Sequence, residues 1–156
     1  MSQLINGNAM AGKATRLIEQ RWVARPQEEA FIYTADFSNL QHWDPGVVSA
    51  RKITNGPVGV GTCYEVEVRF GSGTSPMIYE ITVYEPYSRV VLVGSGEKLY
   101  ATDEIRFASH DNMTVIDYTA DLSFRNFYRF LGPLLRARLN KVGKDALDGL
   151  VTALDG

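Results

Sequence analysis

Between residues 47 and 124, apolar and polar residues alternate with period two in short segments divided by turn residues. Successive side chains of a strand point to opposite faces, so this alternation builds a sheet with one dry face and one wet face. YEVEVRF, residues 64–70, shows it most cleanly: Tyr64, Val66, Val68 and Phe70 face one way, and Glu65, Glu67 and Arg69 the other. MIYEITVYE, residues 77–85, repeats the code with Tyr79, Ile81 and Val83 against Glu80 and Thr82. VVSARKIT, RVVLVGS, LYATDEIRFAS and MTVIDYTADLSF supply the remaining strands. The links Asn55-Gly56-Pro57, Gly71-Ser72-Gly73, Pro86-Tyr87-Ser88 and His110-Asp111-Asn112 carry turn chemistry. Links this short predict an antiparallel meander.

A meander with one apolar face needs a cover, and the C-terminal segment is the only one large enough. Phe127, Leu131, Leu134 or Leu135, Val142, Ala146, Leu150 and Leu154 recur at mostly three- and four-residue steps, the spacing of one helical face. Gly132-Pro133 is expected to kink this helix or to mark where its long part begins. Ahead of the meander, residues 14–24 read as a strand that Arg25-Pro26 ends. A helix over 27–35 follows, with Glu28 and Glu29 at its positive end and a short buried face of Ala30, Phe31 and Ala35. Ser38 is the expected cap of a second short helix, 38–43, which Asp44-Pro45-Gly46 closes. The order strand, two short helices, six strands, long helix (β-α-α-β6-α) predicts an α+β helix-grip fold, a curved antiparallel sheet wrapped around the C-terminal helix. Such a sheet does not close tightly at both ends. Two short helices would plug one end and leave room for a cavity between helix and sheet. Residues 14–154 are read as one domain, and residues 1–13 as a flexible polar tail or a start misplaced upstream of Met10.

Composition narrows the chemistry. A net charge of −2 gives no footprint for nucleic acid or for an acidic membrane. No apolar run approaches the roughly 20 residues that cross a bilayer, and the N-terminus lacks the pattern of a secretory signal. The single cysteine, Cys63, excludes an internal disulfide framework and fits a reducing compartment, so a cytoplasmic location is expected. GPVGVGT resembles a phosphate loop, but its glycines precede a strand, where no helix N-terminus meets a phosphate. His42 and His110 are the only histidines, and no paired-cysteine spacing occurs, so no metal site and no cofactor is expected. Cys63, at a strand start, reads as a small packing residue. A homodimer is compatible with all of this.

Three local pieces carry a family likeness. Ala24-Arg25-Pro26 leads into Glu28-Glu29-Ala30-Phe31; Asn39-Leu40 runs through Trp43-Asp44-Pro45-Gly46-Val47; and Gly59-Val60-Gly61-Thr62 opens a strand. In this order and spacing, residues 14–154 resemble the START/Bet v 1-like (SRPBCC) superfamily, and within it the small bacterial polyketide cyclase/dehydrase-like members. The resemblance implies an internal cavity that holds lipids, polyketides, hormones or other apolar molecules. It implies no single reaction and offers no invariant catalytic motif to transfer.

Asp103 is the one carboxylate whose position suggests chemistry. In LYATDEIRF it shares parity with Leu99, Ala101, Ile105 and Phe107, hence with the inner face. A carboxylate there would hold its proton more tightly and could serve as general acid or base. A bulge that shifts parity, or an ion pair to an arginine such as Arg21, would account for it equally. Tyr64, Tyr79 and Tyr118 fall on apolar faces by the same parity, and buried hydroxyls need partners from backbone, ligand or water. Trp43, placed before a turn, either seals the core beneath the short helices or touches a ligand at the cavity mouth. The aromatic and basic residues at the start of the last helix suit a membrane surface or simply a solvated face. Two ligand-using functions remain, beside a partner-binding module without ligand. One is binding of a small hydrophobic or amphipathic molecule by Trp43, Tyr64, Val66, Phe70, Tyr79, Ile81, Tyr118 and Leu135. The other is a polyketide cyclase or dehydratase that uses the same cavity, with Asp103 as its catalytic group.

Overall fold

A computed structural model describes residues 14–130 and 132–156, the side chains at 127 and 132–136 excepted. The expected order appears. Strands β1 (Thr15–Val23), β2 (Val47–Lys52), β3 (Cys63–Phe70), β4 (Gly73–Glu85), β5 (Arg89–Gly96), β6 (Leu99–His110) and β7 (Met113–Phe124) form one sheet. Its order is β1-β7-β6-β5-β4-β3-β2, and the paired strands are antiparallel throughout. β2 to β7 therefore make the meander, and β1 returns to close the far side against β7.

The turns follow from their residues. Gly71 and Ser72 alone join β3 to β4, because Phe70 pairs with Gly73. Asp111 and Asn112 join β6 to β7 with φ of 48° and 67°, a left-handed pair whose twist matches the strands it joins. One irregularity departs from the alternation. The β4–β5 register shifts between Ile81 and Val83, a bulge that reverses parity beyond it. Tyr84 thus turns toward the core and meets Phe31 at 5.2 Å between ring centroids. Val83, expected on the inner face with Tyr79 and Ile81, is left half-buried outside the main core.

Helix α1 (Gln27–Ala35) buries Ala30, Phe31, Thr34 and Ala35. The second expected helix splits into a 3-10 turn, Phe37–Asn39, and one α-turn, α2 (Leu40–Trp43). Its cap is Asp36 rather than Ser38: the Asp36 carboxylate accepts from both the Ser38 amide and hydroxyl, at 3.1 and 2.7 Å. A second 3-10 turn, Asn126–Phe130, precedes helix α3 (Gly132–Asp155), so Gly132-Pro133 marks the start of the long helix. Arg25 ties down the far end of α3, its Nε donating to the Leu154 carbonyl at 2.6 Å.

The space between sheet and helix is unevenly filled. Under α1 and α2 it is solid: Phe31, Phe37, Tyr64, Ile81, Leu92, Ile105 and Ile116 of that end meet Leu147, Leu150 and Leu154 from the second half of α3. The stretch of α3 before Leu147 presents Leu139, Val142, Gly143 and Ala146 instead. Facing them, the central strands carry Ala101 and Ala120 as well as larger residues. Small residues on both sides leave the gap open.

Candidate functional site

That gap is a cavity of about 600 Å³. Its walls come from β3 (Val66, Val68, Phe70), β4 (Met77, Tyr79), β6 (Leu99, Asp103), β7 (Tyr118, Ala120, Leu122, Phe124) and the first half of α3. Exposure separates mouth from floor. Pro45, Arg69 and Arg138 are exposed, whereas Val66, Met77, Tyr79, Asp103 and Ala120 are buried. Aromatic rings pack beside it, Phe70 lying 6.1 Å from Phe124 and 5.3 Å from Tyr128 between centroids. The cavity is therefore apolar with a few polar groups, the usual composition of a site for small organic molecules. A second, more polar depression of about 510 Å³ lies between β1 and α3, lined by Glu19, Lys141, Lys144, Asp145 and Asp148 among others.

Asp103 is 5% exposed. The β6–β7 register runs without a shift, so its inward parity is real and no bulge displaces it. Arg21 is engaged elsewhere, with Glu19 and Asp148, both at 2.9 Å. The partner is Tyr118, one diagonal step away on β7, whose hydroxyl donates to Asp103 Oδ2. Oδ1 is buried without a hydrogen-bond partner among the described residues. Burial lifts the Asp103 pKa to about 7; the Tyr118 hydrogen bond opposes this, and the charges of Asp44 and Asp121 add to it.

Asp44 is the polar group that sequence reasoning missed. Asp44-Pro45-Gly46, the turn that closes the second short helix, lines the cavity with all three residues. The Asp44 carboxylate curls back to accept from the Gly46 amide at 2.8 Å. Burial raises its pKa to about 6 against that hydrogen bond. An aspartate two residues before a glycine signals this local turn, but nothing local says which way the turn leans. Tyr79 completes the floor. Its ring covers Gly94, where a Cβ would lie 2.6 Å from the ring. Burial raises the pKa of Tyr79 and Tyr118 well above normal, and the charges of Asp103 and Asp44 act on both.

Of the residues expected on the wall, Val66, Phe70, Tyr79, Tyr118 and Asp103 are there. Trp43, Tyr64 and Ile81 are not, and their placement is corrected. Parity gives the correct face, but these three sit toward the solid end of it. Trp43 is 3% exposed and seals the core, its carbonyl pressed against Gly149 of α3. Tyr64 is buried beside Phe37 at 6.2 Å, where burial and then the Asp36 charge raise its pKa. Ile81 is fully buried in the same cluster. The Leu135 side chain lies outside the described residues, as do the side chains of Phe127, Leu131 and Leu134 and residues 1–13.

Other candidates carry less. Cys63 is half-buried, and burial raises its pKa, the reverse of an activated thiolate. The glycine-rich loop is a backbone clasp, the Gly61 amide donating to the Ile81 carbonyl at 2.9 Å. Among the described residues no group of three or more His, Cys, Asp or Glu could hold a metal ion. No described helix is long and apolar enough to cross a membrane.

Comparison with known proteins agrees with this architecture. Residues 15–155 match the family described as polyketide cyclase / dehydrase and lipid transport. Among solved structures, the chain is similar to the Zhui aromatase/cyclase from Streptomyces sp. R1128, with a TM-score of 0.75 at 13% identity over 90% of this chain and 93% of that one. It is also similar to a START superfamily protein from Mycobacterium smegmatis, with a TM-score of 0.74 at 11% identity over 89% and 96% of the two chains. A hypothetical protein of Helicobacter pylori gives a TM-score of 0.74 at 14% identity over 91% and 89%. No match is found among curated protein sequences. At such identities the structures speak for the fold alone. With a family match over nearly its whole length and a helix-grip fold shared with these structures, the chain belongs to the polyketide cyclase/dehydrase and lipid transport family.

Proposed function

We propose that the protein binds one small hydrophobic or amphipathic molecule between its sheet and the first half of α3. The observation that carries this reading is the 600 Å³ cavity, apolar on its walls and open at one end. Its volume lies within the range of sites that enclose a small organic ligand. Burial would drive binding, each Å² of apolar area removed from water contributing roughly 25 cal/mol. Val66, Phe70, Met77, Tyr79, Tyr118 and Leu122 supply that area, and the carboxyl of Asp103 gives orientation. Native mass spectrometry of the protein purified from its source cell tests this directly, and a small molecule retained in the complex is the expected result. A spectrum of protein alone, with no displaceable binding of an apolar fluorescent probe, overturns it.

Catalysis of the cyclase or dehydratase kind is the second reading. It is favoured by a buried carboxyl at the cavity floor whose pKa of about 7 suits proton transfer at neutral pH. Holding a flexible chain in a reactive shape would supply much of the rate. Asp103→Asn should then cut turnover of a cyclisable poly-β-ketone by roughly 100-fold or more. Unchanged turnover removes Asp103 from that role.

A further inference from the structure

The cavity's polar groups are sorted by charge and depth. On the floor lie Asp103, with one carboxylate oxygen unpartnered, and the phenol of Tyr79, with the half-buried Tyr118 beside them. Asp44 lines the same space, close enough that its charge acts on Asp103 and on both phenols. The two lining arginines among the described residues, Arg69 and Arg138, are exposed at the mouth, and Arg69 Nε is held by the Pro45 carbonyl at 3.0 Å. Of the remaining charges near Asp103, Asp121 is bound to Arg16 at 2.8 Å and Asp145 to Lys141 at 2.6 Å. Among the described residues, then, the cavity inside its exposed rim holds two carboxyls, Asp103 buried and Asp44 half-buried, and no cation.

We infer that the cavity selects an amphiphile whose buried end is a protonated amine, with its apolar body along the β3, β4 and β7 walls. This rests on the ligand-binding reading above and names its head group. An ionised carboxylate only accepts hydrogen bonds, and Tyr118 satisfies one Asp103 oxygen but not the other. An ammonium brings three donors, which Asp103 Oδ1, the Asp44 carboxylate and the Tyr79 hydroxyl can accept. A carboxylate or phosphate head would meet two like charges with no buried cation among the described residues to offset them. A carbonyl head would require Asp103 to keep a proton and donate it.

Three ten-carbon probes that differ only in the head separate these cases: decylamine, decanol and decanoate. Each is titrated calorimetrically into the full chain at pH 7.5, below its micelle concentration. Decylamine should bind at least about tenfold more tightly than decanol, and decanoate most weakly. Asp103→Asn should remove about tenfold or more of the amine affinity while leaving decanol within a few fold, which also shows that the cavity is intact. Asp44→Asn, which keeps an oxygen for the Gly46 amide, should lower amine affinity by a smaller factor. From pH 5.5 to 8, decylamine affinity should rise as Asp44 and Asp103 lose their protons, since the amine itself stays charged. Decanoate binding as tightly as decylamine, an amine preference that survives Asp103→Asn, or amine affinity that falls with pH each overturn the inference. Equal binding of all three overturns the head-group assignment and leaves the cavity as a binding site. Binding of none overturns both.

Discussion

A carboxyl that is nearly out of water couples its protonation to folding. In the unfolded chain Asp103 ionises near pH 4, but in the folded protein its pKa is about 7. Its folded pKa is raised, so the folded state is favoured below the unfolded pKa and that advantage is lost as pH rises from about 4 through 7. Asp44, raised to about 6, acts in the same direction over a narrower window. Asp103→Asn should therefore raise the melting temperature at pH 8 and have little effect at pH 4, which thermal scans across that range would show. Equal effects at both pH values would mean that folding does not raise the Asp103 pKa. Gly94 is the complementary case, a residue needed for what it lacks. A Cβ there would lie 2.6 Å from the Tyr79 ring. Gly94→Ala should push that ring into the cavity, lowering stability by about 1–3 kcal/mol in urea titrations and reducing the space for ligand. Stability and probe affinity both at wild-type levels would show that Tyr79 moves freely.

Helix α3 is built in two parts, and two glycines test the division. At Gly149 a Cβ would lie 2.0 Å from the Trp43 carbonyl oxygen, a backbone atom that cannot step aside. At Gly143 the nearest atom is Leu17 Cδ1, at 3.3 Å, the end of a flexible side chain. Gly149→Ala should cost roughly 3 kcal/mol or more because the helix has to lift from α2. Gly143→Ala should fall near neutral, the gain in helix propensity of about 1 kcal/mol offsetting a tight contact. Denaturant titration of the two variants measures the contrast, and similar losses would show that α3 is not seated on Trp43. At this scale the sequence was informative where period alone decides. The inward faces of β3, β6 and β7 and the start of α3 were all legible. What period cannot report is distance along a strand, so Tyr64 and Ile81 were assigned to a hollow end although they pack in the solid one. Nor does it reveal an extra residue: Thr82, between Ile81 and Val83, shifts the register, and only the β5 partner shows this. Asp44 escaped for a related reason, because the direction of a turn is set by what packs behind it.

For the molecule as a whole, the two halves divide stability from binding. The end capped by α1 and α2 carries the large side chains, with Trp43, Phe31 and Phe37 against Leu147 and Leu150. The other end gives up packing to remain open, an arrangement that is sustainable only if the solid half supplies enough stability by itself. Substitutions should therefore separate the two properties according to the half they fall in. Ala120 lines the cavity opposite Asp103, so Ala120→Phe should fill the space, abolish binding of an apolar probe and leave stability unchanged or about 1 kcal/mol higher. Trp43→Phe should do the opposite, lowering stability by roughly 1–3 kcal/mol while probe affinity stays within about threefold. Fluorescence displacement and urea titration on both variants give four values, and only the crossed pattern fits a solid half that supports a hollow one. Lost binding with intact stability in Trp43→Phe would move the tryptophan from the plug to the ligand.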